Sequence, residues 1–344
     1  MSDNQHSHLL KQVVNGESLN QVQAQQFFSD VILGNVQPAF LAAMLTALKI
    51  KGESATEVAG AALAIQKAAL YFPKPAFEVA DCVGTGGDGA NTINISTTAA
   101  ILAAACGLKM AKHGNRSVSS MSGSADLLEA LGVNLSMSAA TASQCLTSTN
   151  LCFLFAPAYH TGFKHAAPVR AAMGIRTMFN ILGPLVNPAK PKIMLLGVYT
   201  PELLPVMAKS LQLTEVSRAW VVHGSGLDEI AIHGSTELIE LKNNSLVRKT
   251  ISPADFGLAN YPLADIQGGT PEQNAATIKA ILAGKGQPAH NTAVVINCAA
   301  LLYLHQQAES LDAAAAIASK VLASGKALTT LQNLVSLSNQ EVTE

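Results

Sequence analysis

The chain has 344 residues, which suggests two domains at roughly 100 to 200 residues each. Hydrophobic types make up 49% of it and charged types only 13%, about half of the ~25% usual in soluble domains, which excludes a disordered protein. Lys and Arg number 22 against 23 Asp and Glu, so no overall basic field attracts nucleic acid or an anionic membrane.

The sequence shows no sign of a membrane or secreted protein. Its longest apolar stretch, residues 99–108, is far shorter than the ~20 residues that a membrane-spanning helix needs. Residues 1–12 are polar and lack the apolar centre of a signal peptide. The five cysteines are odd in number and form no Cys-x-x-Cys pair, so neither a disulfide framework nor a zinc site is indicated. We expect a cytoplasmic protein in a reducing compartment.

Residues 1–70 show the signals of helices only. Ser18 with Gln21, and Ser54 with Glu57, match the capping box, in which a hydroxyl and a side chain three residues later bind the free N–H groups at a helix start. Apolar residues at helical spacing follow the second pair. The N-terminal part is therefore predicted to be a small α-helical domain.

Strand and helix signals alternate after a proline-containing linker at residues 71–75. The predicted strands lie at residues 77–83, 108–111, 152–155, 193–199 and 218–222, and the predicted helices at residues 94–106 and 124–131, after Thr200, after Thr270, from Asn291 and from Ser310. This order is typical of an α/β domain with a mainly parallel sheet.

The domain boundaries follow from the same pattern. Residues 168–188 show helix signals and no strand, so we expect residues 163–190 to rejoin the helical domain of residues 1–74. The α/β domain is then expected to comprise residues 75–162 and 191–344.

A glycine-rich segment, GTGGDG at residues 84–89, directly follows a predicted strand. Glycines let successive backbone N–H groups converge on an anion. The segment formally matches the dinucleotide motif GxGxxG, but Lys112 and His113 stand where that motif requires an acid about 20 residues on, and the helix begins late. No Walker lysine follows Gly89. An anion site of another kind is predicted, and a glycine-rich turn without a ligand stays the alternative.

Two more polar clusters lie near this segment in the predicted fold. Asn94, Ser96 and Thr97 stand at a helix start, where the helix dipole and free N–H groups favour phosphate. Residues 112–120 (KHGNRSVSS) follow the next strand with two cations and three hydroxyls. Because open α/β sheets bind ligands at the carboxyl ends of their strands, both clusters predict a polyphosphate site. An ordinary helix cap and a solvated turn are the alternatives.

The acidic pair Asp228 and Glu229 follows the strand predicted at residues 218–222. Carboxylates beside an anion site require a cation between them and the ligand, and Mg²⁺ is usually held by one or two carboxylates with phosphate oxygens and water. Ser96 is expected to lend a hydroxyl. The sequence therefore predicts a Mg²⁺ site, with solvated loop acids as the alternative.

Two arginines stand in the segment predicted to be helical. A guanidinium binds a carboxylate in fixed two-pronged geometry, so Arg170 suits an acidic second substrate. For Arg176, a surface salt bridge is an equal alternative. His160 and His165 are not at a metal-ligand spacing and are interpreted as packing or loop residues.

Several longer motifs occur in a fixed order along the chain. They are DCVGTGGDGANTINIST at residues 81–97, AKHGNRSVSSMSGSADLLEALGV at 111–133, FLFAPAYH at 153–160, PVRAAMGIRTMFNILGPLVNP at 168–188, VVHGSGLDEI at 221–230, DFGL at 255–258 and GGTPEQNA at 268–275. Together they resemble the anthranilate phosphoribosyltransferase family.

The resemblance implies a fold and an activity. The fold is similar to that of the pyrimidine nucleoside phosphorylases, with a small helical domain, a larger α/β domain, a cleft between them, and a homodimer joined through the helical domain. The activity is the Mg²⁺-dependent transfer of the phosphoribosyl group of phosphoribosyl pyrophosphate (PRPP) to the amino group of anthranilate, in tryptophan biosynthesis. Neither nucleic acid nor a membrane is an expected partner.

The resemblance also implies site residues. The PRPP contacts fall on Gly84, Gly87, Asp88, Thr92, Asn94, Ile95, Ser96, Thr97, Lys112, His113, Gly114, Asn115, Arg116, Ser117, Val118, Ser119, Ser120 and Ser124. The magnesium ligands fall on Ser96, Asp228 and Glu229, and the anthranilate contacts on Gly84, Asn115 and Arg170. No general acid or base is assigned, because an aromatic amine is already neutral at pH 7. Met121 departs from the pattern, since a lysine is frequent there in relatives.

Three other functions stay open. A nucleoside phosphorylase shares the fold but uses free phosphate, which leaves the acidic pair at residues 228–229 without a purpose. A catalytically silent relative that binds nucleic acid is disfavoured by the near-neutral charge. An NADP-dependent reductase depends on the GxGxxG match alone.

Overall fold

A computed structural model describes residues 3–117 and 121–340. Val118, Ser119 and Ser120, which are predicted to contact PRPP, lie outside the described residues. Within the described part of the chain, no helix is long and apolar enough to cross a membrane.

The N-terminal part is helical, as predicted. Its helices are α1 (Asp3–Val14), α2 (Gln21–Leu33), α3 (Pro38–Lys51) and α4 (Ala55–Ala68). The capping box at Ser54 and Glu57 is confirmed. The Glu57 carboxylate also accepts hydrogen bonds from the Leu19 N–H at 2.9 Å and from Lys51 Nζ at 3.0 Å, so this buried acid ties the start of α4 to the ends of two neighbouring segments.

The capping box predicted at Ser18 and Gln21 is wrong. Asn20 caps α2, and the Gln23 side chain returns to the Asn20 N–H at 2.9 Å. Both pairs have the same spacing, and Asn is as good a cap as Ser, so the pattern alone does not tell which polar residue precedes the helix.

Seven strands form one sheet in the part of the chain that the structure describes. They are β1 (Ala80–Gly84), β2 (Met110–Gly114), β3 (Leu151–Phe155), β4 (Ile193–Gly197), β5 (Arg218–His223), β6 (Thr236–Lys242) and β7 (Ser245–Ile251). The order across the sheet is β3-β2-β1-β4-β5-β6-β7. Strands β1 to β5 pair in parallel, which confirms the mainly parallel sheet, and β6 and β7 add an antiparallel edge that was not predicted.

A short sequence pattern marks the antiparallel edge formed by β6 and β7. Asn243 and Asn244 join β6 to β7 with positive φ values of 51° and 57°. Asparagine tolerates this left-handed conformation, which a two-residue hairpin turn requires. The dipeptide between two runs of strand-forming residues therefore marks the hairpin.

Helices cover the sheet and extend to the end of the described chain. They are α5 (Ile95–Ala105), α6 (Ser124–Ala130), α7 (Ala139–Thr149), α8 (Ala156–Tyr159), α9 (Ala167–Met173), α10 (Leu203–Leu213), α11 (Pro271–Leu282), α12 (Pro288–Leu304), α13 (Leu311–Ala323) and α14 (Lys326–Ser338). Helix α5 is apolar on all sides and buried along its length, so it is a central element of the core with α12 packed on it.

The prediction of one helix over residues 168–188 is wrong. Helix α9 ends at Met173 and is capped by Gly174, which has a φ of 61°, and short 3₁₀ turns follow at Met178–Asn180 and Gly183–Leu185. A left-handed glycine stops a helix, and the proline in the last turn cannot continue one. Phe179 of this segment packs on Phe28 of α2 with ring centroids 5.9 Å apart.

Candidate active site

A cavity of about 840 Å³ opens at the carboxyl ends of β1 and β2. One side, the loop wall, consists of the residues within 84–97, 112–117, 121–124 and 228–229 that line the cavity. The other side, the facing wall, consists of the lining residues within 156–186 together with Tyr199. Every described residue that is predicted to contact PRPP, anthranilate or Mg²⁺ lines this cavity. Their individual roles stay predictions.

The glycine-rich loop after β1 adopts backbone conformations that few other residues adopt. Gly86, Gly87 and Gly89 have φ values of 68°, 83° and 77°. The Gly86 N–H donates a hydrogen bond to Asp228 Oδ2 at 2.6 Å. A Cβ at Gly84 would clash with the same carboxylate. The glycines therefore let the acidic loop that follows β5 lie directly against the backbone of this loop.

The start of α5 meets the other acid. The Ser96 N–H donates a hydrogen bond to Glu229 Oε1 at 3.0 Å, and the Ser96 hydroxyl also interacts with this carboxylate. Asn94 occupies the N-cap position, but its side chain makes no capping hydrogen bond. The Asn94 amide is used elsewhere, since it donates to the Ser122 carbonyl at 3.0 Å.

Asp228 and Glu229 are carboxylates in a place that disfavours their charge. Burial is the largest cause that raises the pKa of both, and the second cause is a neighbouring carboxylate, Asp88 for Asp228 and Asp228 for Glu229. Lys112 opposes the shift of Glu229, but its Nζ donates to the Cys82 carbonyl at 2.6 Å. Among the described residues, neither acid makes an ion pair.

Ser96, Asp228 and Glu229 fit a divalent cation whose remaining ligands come from the phosphate groups of a substrate and from water. A cation would relieve the mutual repulsion of the buried acids and restore their charged form. Across residues 3–117 and 121–340, no three His, Cys, Asp or Glu side chains are arranged to hold a metal by themselves. Mg²⁺ accepts such a site, because it takes one or two carboxylates and fills its remaining positions with phosphate oxygens and water.

In the loop that follows β2, referred to as the second loop, the Arg116 guanidinium already forms ion pairs. Arg116 binds the Glu129 carboxylate at 2.7 and 2.9 Å and Asp126 at 3.0 Å. The Ser117 N–H donates to the second Asp126 oxygen at 2.9 Å. Arg116 lines the cavity, but its guanidinium is held by two acids of α6 in this structure.

Arg170 is the prominent cation of the facing wall. Its guanidinium lies 5.3 Å from the centre of the Phe179 ring, and burial lowers its pKa. It forms no ion pair with any residue that the structure describes. A partly buried guanidinium without a carboxylate partner is suited to an acidic ligand.

Arg176 and His160 also line the cavity, although neither was assigned to the site. Arg176 is in no salt bridge within the described chain. Its guanidinium donates to the Gly87 carbonyl at 2.7 Å and lies 4.5 Å from the centre of the Tyr199 ring. His160 packs edge-on against His113, with ring centroids 5.2 Å apart. No local sequence pattern indicates these contacts, because they join segments far apart in the chain.

Burial keeps both histidines neutral. It lowers the pKa of His113 to about 3, with the neighbouring His160 as the second cause, and it lowers the pKa of His160 to about 4. His113 Nδ1 lies 3.2 Å from the Gly183 carbonyl, so this nitrogen carries the proton and donates it. Neither ring contributes positive charge to the cavity at neutral pH.

The fold and the cavity define a glycosyltransferase built from a helical bundle and an α/β domain. Residues 7–69 match the helical bundle domain of the glycosyl transferase family, and residues 77–328 match its α/β domain. The chain belongs to the anthranilate phosphoribosyltransferase family, since the anthranilate phosphoribosyltransferase of Colwellia psychrerythraea is 70% identical over 336 residues, covering 97% of this chain and 92% of that protein.

Solved structures agree with this assignment. The crystal structure of the anthranilate phosphoribosyltransferase of Thermus thermophilus is 39% identical with a TM-score of 0.92, over 96% of this chain and 99% of that one. The enzyme of Saccharomyces cerevisiae in complex with PRPP and Mg is 29% identical with a TM-score of 0.89, over 98% of both chains.

Proposed function

We propose that this protein transfers the phosphoribosyl group of PRPP to the amino group of anthranilate, with Mg²⁺ as cofactor. The products are N-(5-phosphoribosyl)anthranilate and pyrophosphate. The observation that carries the proposal is the convergence of the two polar loops, the acidic pair and Arg170 on one cavity in a chain of this family. The residues proposed to bind the polyphosphate thereby lie across one cavity from Arg170, which is proposed to bind the carboxylate.

The loop wall is proposed to hold PRPP. The glycine-rich loop, the residues at 94–97 and the loop from Lys112 to Ser124 offer backbone N–H groups and short hydroxyl side chains to the phosphates. Ser96, Asp228 and Glu229 would hold Mg²⁺, which neutralises the charge that develops on the departing pyrophosphate. The hydrogen bonds from Gly86 to Asp228 and from Ser96 to Glu229 already orient this side of the cavity, so we expect little reorganisation when the bond to C1 of the ribose breaks.

The facing wall is proposed to hold anthranilate. Arg170 would bind its carboxylate, and the Phe163 and Phe179 rings beside Arg170 offer apolar contacts to its ring. Gly84 and Asn115 would meet it from the loop wall. The amine is uncharged at neutral pH, so it attacks C1 without prior deprotonation. Holding both substrates in line is then the protein's main contribution to the rate.

The fluorescence of anthranilate provides the direct test. We expect it to change when PRPP and Mg²⁺ are both present, and to stay constant when either is omitted. Phosphorolysis of thymidine or uridine by the same preparation would instead support a nucleoside phosphorylase. The acidic pair disfavours that alternative, because free phosphate does not require a metal bridge.

We also propose a homodimer joined through the helical domain, with that domain comprising residues 1–74 and 163–190. Helices α1 to α3 expose four large apolar side chains, namely Val14, Val22, Leu33 and Ile50. A subunit interface that covered them would remove this apolar surface from water. Sedimentation at micromolar concentration tests the proposal, and a single species near the chain mass of 35.7 kDa would refute it.

A cytoplasmic location completes the proposal. All five cysteines are free thiols, as expected in a reducing compartment. Fractionation of the source cells with an antibody to the protein tests it.

A further inference from the structure

The motif GGTPEQNA, residues 268–275, lies against the loop that precedes α5. The Gly268 N–H donates to the Asn91 carbonyl at 2.7 Å, and the Ile93 N–H donates to the Ile266 carbonyl at 3.0 Å. A Cβ at Gly268 would stand 2.5 Å from the Thr92 carbonyl oxygen, so only glycine permits this approach. The motif therefore pairs with the residues that lead from the glycine-rich loop to Asn94.

Asn274 extends this pairing through its side chain. Thr270 caps α11 and Pro271 is the first residue of the helix, which places Asn274 one turn in and next to the loop. Asn274 is 2% exposed. Its Oδ1 accepts a hydrogen bond from the Gly269 N–H at 2.8 Å, and its Nδ2 donates to Asn94 Oδ1 at 2.9 Å.

Asn94 extends the hydrogen-bond network to Ser122 in the second loop. Its Oδ1 also accepts from the Ser122 hydroxyl at 3.3 Å, while its Nδ2 donates to the Ser122 carbonyl at 3.0 Å. The amide of Asn274 must therefore present its donor to Asn94, and this orientation fixes that of the Asn94 amide. A rotated Asn94 amide would turn its NH₂ group toward the Asn274 donor and its oxygen toward the Ser122 carbonyl, so both of these hydrogen bonds would be lost.

We propose that Asn274 is a positioning residue for PRPP, which acts by orienting Asn94 and so joining the two loops of the loop wall. The inference rests on the proposed function, because it assigns PRPP to those loops. Asn274 is not among the residues that line the cavity, so it acts through Asn94 and not by touching substrate. Asn274 is buried and both polar atoms of its amide are hydrogen-bonded, as a rigid support for a binding site requires.

The variant Asn274→Asp tests this role. It keeps an acceptor for the Gly269 N–H but replaces the donor to Asn94 with a carboxylate oxygen. We expect the KM for PRPP to rise about tenfold, the effect of one lost buried hydrogen bond and an added repulsion. The KM for anthranilate should change little, and the melting temperature should fall no further than that of a matched control. Asn291→Asp is the matched control, since its amide binds the Gly286 carbonyl at 3.0 Å away from the cavity.

A cycle with Asn94→Ala separates positioning from general support of the fold. If Asn274 acts through Asn94, Asn274→Asp adds no further increase in the PRPP KM when Asn94 is already alanine. An unchanged KM for PRPP in the single variant, equal increases for both substrates, or a full further increase in the Asn94→Ala background would each overturn the proposal. Asn274→Ala, which adds no buried charge, replaces Asn274→Asp if the latter does not fold. An inactive parent protein would instead refute the proposed function.

Discussion

The loop wall of the cavity is made of backbone groups, short polar side chains and an acidic pair, whereas the facing wall is made of rings and arginines. In the loop wall, the contacts are hydrogen bonds between segments, such as the Gly86 N–H to Asp228. In the facing wall, the His160, Phe163 and Phe179 rings pack edge to face with centroids 5.6 to 5.9 Å apart. One wall presents N–H groups and carboxylates, and the other presents aromatic rings with a cation.

On the proposed assignment, this difference would keep the two unlike substrates in separate parts of one cavity. A polyphosphate with its cation is stabilised by many weak donors and by charge balance. A small aromatic acid is recognised by a ring surface and one guanidinium. If the walls are independent, a change in one wall should affect one substrate only.

The largest effect is expected at the acidic pair. Asp228→Asn removes one of two carboxylates that repel each other and that a cation would bridge. We expect about a hundredfold loss of activity at fixed Mg²⁺, on the scale of losing one group that stabilises developing charge. The Mg²⁺ concentration for half-maximal activity should rise. Asp265→Asn, the same change at an exposed residue outside the cavity, is the control. Overlaid Mg²⁺ titrations for Asp228→Asn and the parent would remove Asp228 from the metal site.

A second effect concerns the stability of the protein, through His160 of the facing wall. Burial lowers the pKa of His160 to about 4, so the unfolded chain binds a proton near pH 6.5 that the folded chain does not bind. The contribution of neutral His160 to the free energy of unfolding is therefore fully present above pH 6.5 and is lost as the pH decreases toward 4. Between pH 7 and pH 5 this single group should cost about 2 kcal/mol of unfolding free energy.

His160→Gln removes the titration and should flatten that part of the pH dependence. Urea unfolding at pH 7 and pH 5 measures it, and His8→Gln, at an exposed histidine of α1, is the control. His113 still contributes in His160→Gln, because burial is the largest cause of its lowered pKa, but the part of its shift caused by His160 is lost. Equal losses of stability in His160→Gln and the parent would mean that His160 is accessible to protons in the folded state.

The loop wall was largely predictable from the sequence, because its residues are adjacent along the chain. The glycine-rich segment, Asn94 to Thr97 and the residues after Lys112 each form a short motif behind a strand, and parallel pairing of β1 with β2 brings them together. The acidic pair could be added because carboxylates beside phosphates imply a cation.

The facing wall was harder to predict for a physical reason. Arg176, His160 and Tyr199 meet the cavity through tertiary contacts, and each stands alone in its segment. The same applies to Asn274, whose partner Asn94 is 180 residues away. Errors in the elements were local: the start of α2 depended on a choice between two similar caps, and the helix predicted over residues 168–188 ignored the glycine at 174.

Arg170→Ala tests the independence of the facing wall. Arg170 has no ion pair among the described residues, so it is free to bind a carboxylate at little cost. We expect the KM for anthranilate to rise at least about tenfold, since a charge-assisted hydrogen bond contributes on the order of 1.5 to 3 kcal/mol. The KM for PRPP should change little. Arg248→Ala, at an exposed arginine of β7, is the control, and equal losses for both substrates would mean that Arg170 supports the fold instead.

The smallest effect is expected at Arg176, which belongs to the facing wall by sequence but binds the loop wall. Its guanidinium donates to the Gly87 carbonyl at 2.7 Å, and it packs on Tyr199. A Cβ at Gly87 would approach this guanidinium to 2.7 Å, so the glycine-rich loop and Arg176 are fitted to each other. Because the contact is exposed, its loss should cost about 1 kcal/mol of PRPP binding free energy, or about fivefold in KM.

Arg176→Ala should therefore raise the KM for PRPP, whereas Arg170→Ala raises that for anthranilate. Steady-state kinetics with each substrate varied in turn measures both, and Arg176→Lys, which keeps the charge but not the planar donor, should lie between alanine and arginine. An increase confined to anthranilate would place Arg176 with Arg170 and would mean that its contact with Gly87 does not support the glycine-rich loop.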